Sequence, residues 1–266
     1  MIIVKTEEEI AQIAAAGRIL TRCHALLRRK ARAGVTTGDL DAAAEKFIRS
    51  QGAEPAFKGY RGFPGSICTS PNSMVVHGIP GSYELARGDV LSVDIGVVLD
   101  GWVADAAVTL PIGSVTAVAG RLLTTTREAL FDGIEQCRPG RHLGDVSSAV
   151  QQRVEDAGFS VIRSLVGHGV GRDMHEDPQI PNYGRPGTGP ELTEGMVLAI
   201  EPMVNAGAEP VRMGSDHWAV FSQDGSLAAH FEHTVAVTAD GPRILTPWHL
   251  DEQQPAAAGG ASAASV

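Results

Sequence analysis

The sequence predicts a mixed α/β fold made of two related halves, and three observations carry that prediction. Helix signals occur as a pair near the start of the chain and recur further on. A β-rich segment ending in a carboxylate also occurs twice, and two long β-rich runs are joined by an Asp-Gly dipeptide that closes a tight hairpin. With 266 residues, 43% of them hydrophobic and 20% charged, the chain has the length and composition to bury one sizeable core.

The elements follow in order. Thr6-Glu7-Glu8-Glu9 has capping-box spacing, and Ile10, Ile13, Ala14, Ile19 and Leu20 continue with helical period, so a first helix is expected from about Thr6 toward Arg29. Gly34 stops it, and Asp39 through Ser50 reads as a second helix ending near Gly52. Gly140, Gly144, Asp145 and Gly158 then stand where Gly34, Gly38, Asp39 and Gly52 stood. This repeat is far longer than the roughly 20 to 50 residues of a solenoid unit. The strand Val90-Leu91-Ser92-Val93-Asp94 is echoed by Val197-Leu198-Ala199-Ile200-Glu201, each after a glycine, Gly88 or Gly195. Glycines and small apolar residues match easily by chance; a carboxylate at the same place in both strands argues for two facing halves, with Asp94 and Glu201 equivalent. Residues 1–250 are read as one domain, and 251–266, a low-complexity run without large apolar anchors, as a disordered tail.

Composition excludes several classes. A formal charge of −9 argues against DNA or RNA as the main partner, because phosphate binding needs a basic surface. Cys23, Cys68 and Cys137 lack C-x-x-C spacing, so neither a zinc knuckle nor a disulfide framework is indicated and a reducing compartment is expected. The N-terminal residues lack a signal-peptide pattern, and no apolar run reaches the roughly 20 residues of a membrane span, so a cytoplasmic location is expected.

The hairpin brings two acids together. With Asp100-Gly101 as a two-residue type I′ turn, Leu99 faces Trp102, Gly96 faces Asp105 and Asp94 faces Ala107. Asp94 and Asp105 then share one face as diagonal neighbours, roughly 7 Å apart. Two carboxylates so placed repel unless protons or cations intervene, and a pair of metals about 3.5 to 4 Å apart would fill the gap. The alternative, two acids solvated on an exposed face, fits less well with the apolar residues around them.

Three more candidates join them. His168 lies in Val166-Gly167-His168-Gly169-Val170-Gly171, where flanking glycines remove the packing a core histidine would have and leave space for a ligand. Glu201 ends an apolar strand before Pro202, and Glu232 interrupts the β-like run Ala229–Val237. Either could be a surface charge at a strand end; buried alone, either would be costly. Four carboxylates and one histidine form a mostly hard donor set, better suited to Mn(II), Fe(II) or Co(II) than to a structural zinc site.

In combination these motifs resemble the methionine aminopeptidase family, type I, over about residues 3 to 248. The ordered matches are Val76-His77-Gly78-Ile79-Pro80, the Asp94/Asp105 hairpin, Gly167–Gly171 followed by Met174-His175-Glu176, Ile200-Glu201-Pro202 and Phe231-Glu232-His233-Thr234. The resemblance implies a pita-bread fold around a dinuclear site holding two divalent ions of Co, Mn, Fe, Zn or Ni. Asp94 would chelate one ion and His168 with Glu201 the other, with Asp105 and Glu232 bridging. It further implies Glu201 as general base and His77 and His175 as substrate contacts that stabilise the tetrahedral intermediate. A methionine pocket of Phe57, Tyr60, Phe63, Cys68, Met174 and Trp218 follows by the same matching. Relatives often have other residues at Phe57, Phe63 and Met174, which keeps the pocket apolar but changes its shape.

The implied reaction is removal of initiator methionine from nascent chains whose second residue is small. The short form implies a monomer acting on nascent N-termini, with transient ribosome contact through the surface rather than a docking extension. Two other readings fit the sequence less well. A proline-directed peptidase of the same fold usually has a separate N-terminal domain, and here the first helix signal begins almost at Met1. A non-catalytic relative would commonly have lost ligands, whereas all five stand in this sequence.

Overall fold

The computed structural model describes residues 1–251; the low-complexity run read as a tail lies, from residue 252 onward, outside the described residues. Helix α1 spans Glu7–Lys30 and helix α2 spans Thr37–Ser50. Each is opened by a reciprocal cap: Thr6 Oγ1 accepts the Glu9 N–H (3.3 Å) while the Glu9 carboxylate accepts the Thr6 N–H (2.9 Å). Thr36 and Asp39 repeat the arrangement, both bonds being 3.1 Å. The second helix therefore starts at Thr37, two residues before the expected Asp39, because Asp39 is the far side of the capping box and not its first residue. Glu7–Glu9 in the first turn of α1 and Arg28–Lys30 in its last complement the helix dipole.

Helix α1 lies across a long antiparallel hairpin, Val90–Leu99 with Trp102–Pro111. Its apolar face buries Ile10, Ile13, Leu20 and Leu27, each contributing about 2 kcal/mol by removal from water. In the second half helices α3 (Ala117–Glu135) and α4 (Leu143–Asp156) pack together and back onto strands of that half. The repeat extends to the backbone. Gly34 N–H donates to Leu85 O (2.9 Å) and Gly140 N–H to Leu192 O (3.0 Å); Thr37 N–H donates to Tyr83 O (2.9 Å) and Leu143 N–H to Pro190 O (2.9 Å).

Every strand pairing is antiparallel among the described residues. The first half is centred on Val90–Leu99, which pairs with Trp102–Pro111 on one side and with Glu54–Pro55 and Cys68–Pro71 on the other. The second half is centred on Val197–Ile200, flanked by Val166–Gly169 and His233–Thr238, with Glu176–Pro181 and Gly241–Ile244 at the edges. Smaller three-stranded sheets join Ala228–His230, Met203–Asn205 and Ser160–Val161, and Val211–Met213, Val220–Ser222 and Met74–Val76.

The halves are stitched along one seam. Asp105 N–H donates to Thr234 Oγ1 (3.0 Å), which donates back to Asp105 O (2.7 Å). Glu232 N–H donates to Ala107 O (2.9 Å), and Thr109 Oγ1 links both backbone groups of His230 (2.8 and 2.9 Å). No helix among the described residues is long and apolar enough to cross a membrane.

Candidate metal centre

The hairpin turn has the backbone its sequence requires, Asp100 at φ 51° and Gly101 at φ 76°. Leu99 faces Trp102, Gly96 faces Asp105 and Asp94 faces Ala107, as the two-residue loop predicts. Asp94 and Asp105 therefore project from one face. Gly96 is needed opposite Asp105: a Cβ there would lie 2.8 Å from the Phe57 ring and 2.9 Å from Met174 Cε.

The second half supplies the remaining groups. Glu201 directly follows strand Val197–Ile200, and His168 sits on the neighbouring strand opposite Ala199. Glu232 occupies the break between Ala228–His230 and His233–Thr238, on the seam beside Ala107. His168 Nδ1 donates to Gly169 O (2.9 Å), which leaves Nε2 facing the acids, 3.5 Å from Glu201 Oε1 and 3.9 Å from Asp105 Oδ2. The glycines beside His168 serve neighbouring backbones and not the imidazole. A Cβ on Gly167 would lie 2.4 Å from Ala199 O, and one on Gly169 2.2 Å from Asp177 O.

The electrostatics call for cations. Burial, then the charges of Asp105 and Glu201, hold the Asp94 carboxyl well above the usual carboxylate range. Burial first, then neighbouring acids, does the same to Glu201 and Glu232, and burial pushes Asp105 up to about 7. Asp94 Oδ1, Asp105 Oδ1 and Glu232 Oε1 are buried without any hydrogen-bond partner. Buried unpaired oxygens of this kind are costly unless protons or cations satisfy them. Asp105, His168 and Glu232 offer ligand atoms within 4.8 Å of one another. The donor set fits divalent ions, with Asp94 and Glu201 completing it from the two halves.

The cluster forms the inner end of a cavity of about 200 Å³. Phe57, Tyr60, Phe63, Cys68, His77, His175 and Trp218 line it, and the Phe63 and Trp218 rings meet edge-on at 5.1 Å. Met174 is buried with its Cε, like the Phe57 ring, against Gly96, and it is not among the residues that line the cavity. His77 has a left-handed backbone, φ 59°, a costly conformation for a residue with a Cβ. The next residue, Gly78, donates to Ser70 Oγ (3.1 Å) and accepts the Thr69 N–H (2.9 Å), pinning that corner. The His175 imidazole stands over Tyr60, its Nδ1 2.9 Å from the phenol oxygen, and its ring centre is 4.3 Å from that of His168.

His230 was not singled out by the sequence. It is buried, lines the cavity, places Nε2 3.4 Å from Glu201 Oε2 and 3.9 Å from Glu232 Oε2, and makes no hydrogen bond through either ring nitrogen. Its position two residues before Glu232 was the available signal, since alternate residues of an extended segment share a side.

Comparison with known proteins places the chain in a family. The profile of Metallopeptidase family M24 matches residues 11–239. The methionine aminopeptidase of Clostridium perfringens is 52% identical over 92% of this chain and 99% of its own length. Methionine aminopeptidase 1 of Bacillus subtilis is 51% identical over the same shares. The crystal structure of methionine aminopeptidase from Rickettsia prowazekii superposes with a TM-score of 0.91 at 42% identity, covering 92% of this chain and 100% of that one. The chain therefore belongs to metallopeptidase family M24 and, within it, to the methionine aminopeptidases.

Proposed function

We propose that this chain removes the initiator methionine from nascent proteins and peptides whose second residue is small, using two divalent ions held by Asp94, Asp105, His168, Glu201 and Glu232. The observation that supports it best is a cluster of four carboxylates, three of them with buried unpartnered oxygens, lining an apolar cavity sized for one side chain. Asp105 and Glu232 lie on the seam between the halves, and with Asp94 from the first half and His168 and Glu201 from the second they would hold the ions. Divalent cations bound there polarise the scissile carbonyl and lower the pKa of water.

The chain's own groups do the rest. Phe57, Tyr60, Phe63, Cys68 and Trp218 receive the methionine side chain, an apolar wall with a sulfur and aromatic edges that suits a thioether. Glu201, a carboxylate lining the cavity beside the cluster, accepts the proton of the attacking water and returns it to the leaving amine. His77 and His175, at the cavity wall, donate to the oxygen of the tetrahedral intermediate.

Purified protein supplied with Mn(II), Co(II) or Fe(II) is expected to release methionine from Met-Ala-Ser. Absence of release with every divalent ion tried, or preferential cleavage of Ala-Pro peptides, would overturn the proposal.

A further inference from the structure

A buried ion pair ties the start of the chain to the turn that carries His175. Lys5 Nζ donates to Glu176 Oε2 and to the Ile3 carbonyl (2.9 Å), and the Lys5 and Glu176 side chains are 2% and 4% exposed. The other carboxylate oxygen, Glu176 Oε1, accepts the N–H groups of Arg172 (2.9 Å) and Asp173 (3.3 Å). One carboxylate thus closes the Gly171–Glu176 turn from within and anchors it on Lys5 from outside.

The surroundings are shaped for this contact. Lys5 N–H donates to Gly195 O (2.8 Å). A Cβ on Gly171 would lie 2.6 Å from Lys5 Cε and 2.5 Å from Glu176 Oε1, and one on Gly195 would lie 2.6 Å from Lys5 O. Burying an ammonium with a carboxylate costs more desolvation than their attraction returns unless further hydrogen bonds complete the pair. Here the bonds that complete it are those of the turn. His175 is the residue next to Glu176, and its ring reaches Tyr60 and stands against His168 at the cavity wall.

We infer that Lys5 is a positioning residue: through Glu176 it fixes the Gly171–Glu176 turn and so aims the His175 imidazole at the reacting end of the cavity. The inference rests on the substrate role proposed above for His175. Among the described residues the Lys5 ammonium bonds to Ile3 and Glu176 and to none of the five cluster residues. Losing the pair is therefore expected to act on turnover and leave metal stoichiometry unchanged.

The test uses Lys5→Met, Glu176→Gln and the double variant in the metal-loaded protein. It reads kcat and KM for Met-Ala-Ser, bound metal, and backbone amide exchange at Arg172 and Asp173. Each single variant should lower kcat about tenfold with KM little changed, since a small misplacement of a group acting in the transition state falls on kcat. Exchange at Arg172 and Asp173 should accelerate while that of α1 stays slow, and the double variant should be no worse than either single. A kcat within twofold of the parent, unchanged exchange at the turn, multiplying losses, or a uniform rise of exchange across the chain would each overturn the inference. If the parent protein itself releases no methionine, the function fails, and amide exchange still decides whether Lys5 holds the turn.

Discussion

In the first half Asp94 lies within a ten-residue strand, opposite Cys68 on one side and Ala107 on the other. In the second half its counterpart Glu201 stands just past a four-residue strand, beside Pro202, with its backbone oxygen held by Asn182 Nδ2 (3.1 Å). The first half contributes two acids from one continuous hairpin and most of the apolar cavity wall. The second contributes His168 from a strand, and two acids and His175 from strand ends, breaks and turns. The comparison teaches that the repeated helix and strand framework sets where the cluster lies, while the segments that differ set its chemistry. A rigid hairpin suits fixed ligation, and a strand end suits a carboxyl that must also move a proton.

The sharpest way to break this comparison is to remove one charge from each half. Glu201→Gln is expected to lower kcat by about 1000-fold, the scale of a lost general base, without recovery in excess Mn(II). Asp94→Asn should act through metal occupancy and recover substantially as Mn(II) is raised. Steady-state rates across a metal titration check both, and equal behaviour of the two variants would remove the distinction.

The largest stability effect concerns the acids together. Without metal, folding holds protons on Asp94, Asp105, Glu201 and Glu232 that the unfolded chain, with carboxylates near pH ~4, has already released. Stability of the metal-free protein should therefore fall as pH rises. The clean window begins above about pH 6.5, where the buried histidines are neutral in the unfolded chain too. There Tm of the metal-free protein should drop toward pH 8 while that of the Mn(II)-loaded protein stays level; parallel curves would contradict the reading.

Two smaller tests compare the matched helix starts. A Cβ on Gly144 would lie 2.2 Å from Arg185 O, and one on Gly38 3.0 Å from Gly81 O. Gly144→Ala should then cost about 2 kcal/mol and Gly38→Ala about 1 kcal/mol, overpacking against backbone being the cause in both. The caps also differ: Thr36 Oγ1 accepts the Asp39 N–H, whereas at the second site Asp145 accepts the His142 N–H (2.8 Å). Thr36→Ala should cost about 1 kcal/mol and His142→Ala less, because the second cap uses His142 backbone. Denaturant unfolding of each pair checks the order.

What the sequence revealed was what local rules control. Asp100-Gly101 set the hairpin register, and with it the shared face of Asp94 and Asp105, because a two-residue loop leaves no freedom of pairing. The capping spacing placed α1, and the Gly34 stop followed by the Asp39–Ser50 run placed α2 within two residues. What the sequence hid depends on long-range packing. His230 is an ordinary residue in a β-like run until the seam turns it beside Glu201. Met174 reads as a wall residue, and the fold packs it against Gly96 outside the set that lines the cavity. The glycines around His168 look like room for a ligand, yet the carbonyls of adjacent strands take that room. Lys5 carries no local signal of burial, and only the tertiary fold buries it on Glu176.

The central claim is that acids from both halves make one cation site that drives methionine release. Calorimetric titration of Mn(II) into metal-free protein, with methionine release from Met-Ala-Ser followed on the same samples, tests it most directly. The account predicts two ions per chain, proton release on binding and activity that rises with occupancy. Binding without proton release, a site that survives Asp105→Ala unchanged, or activity independent of bound metal would contradict it.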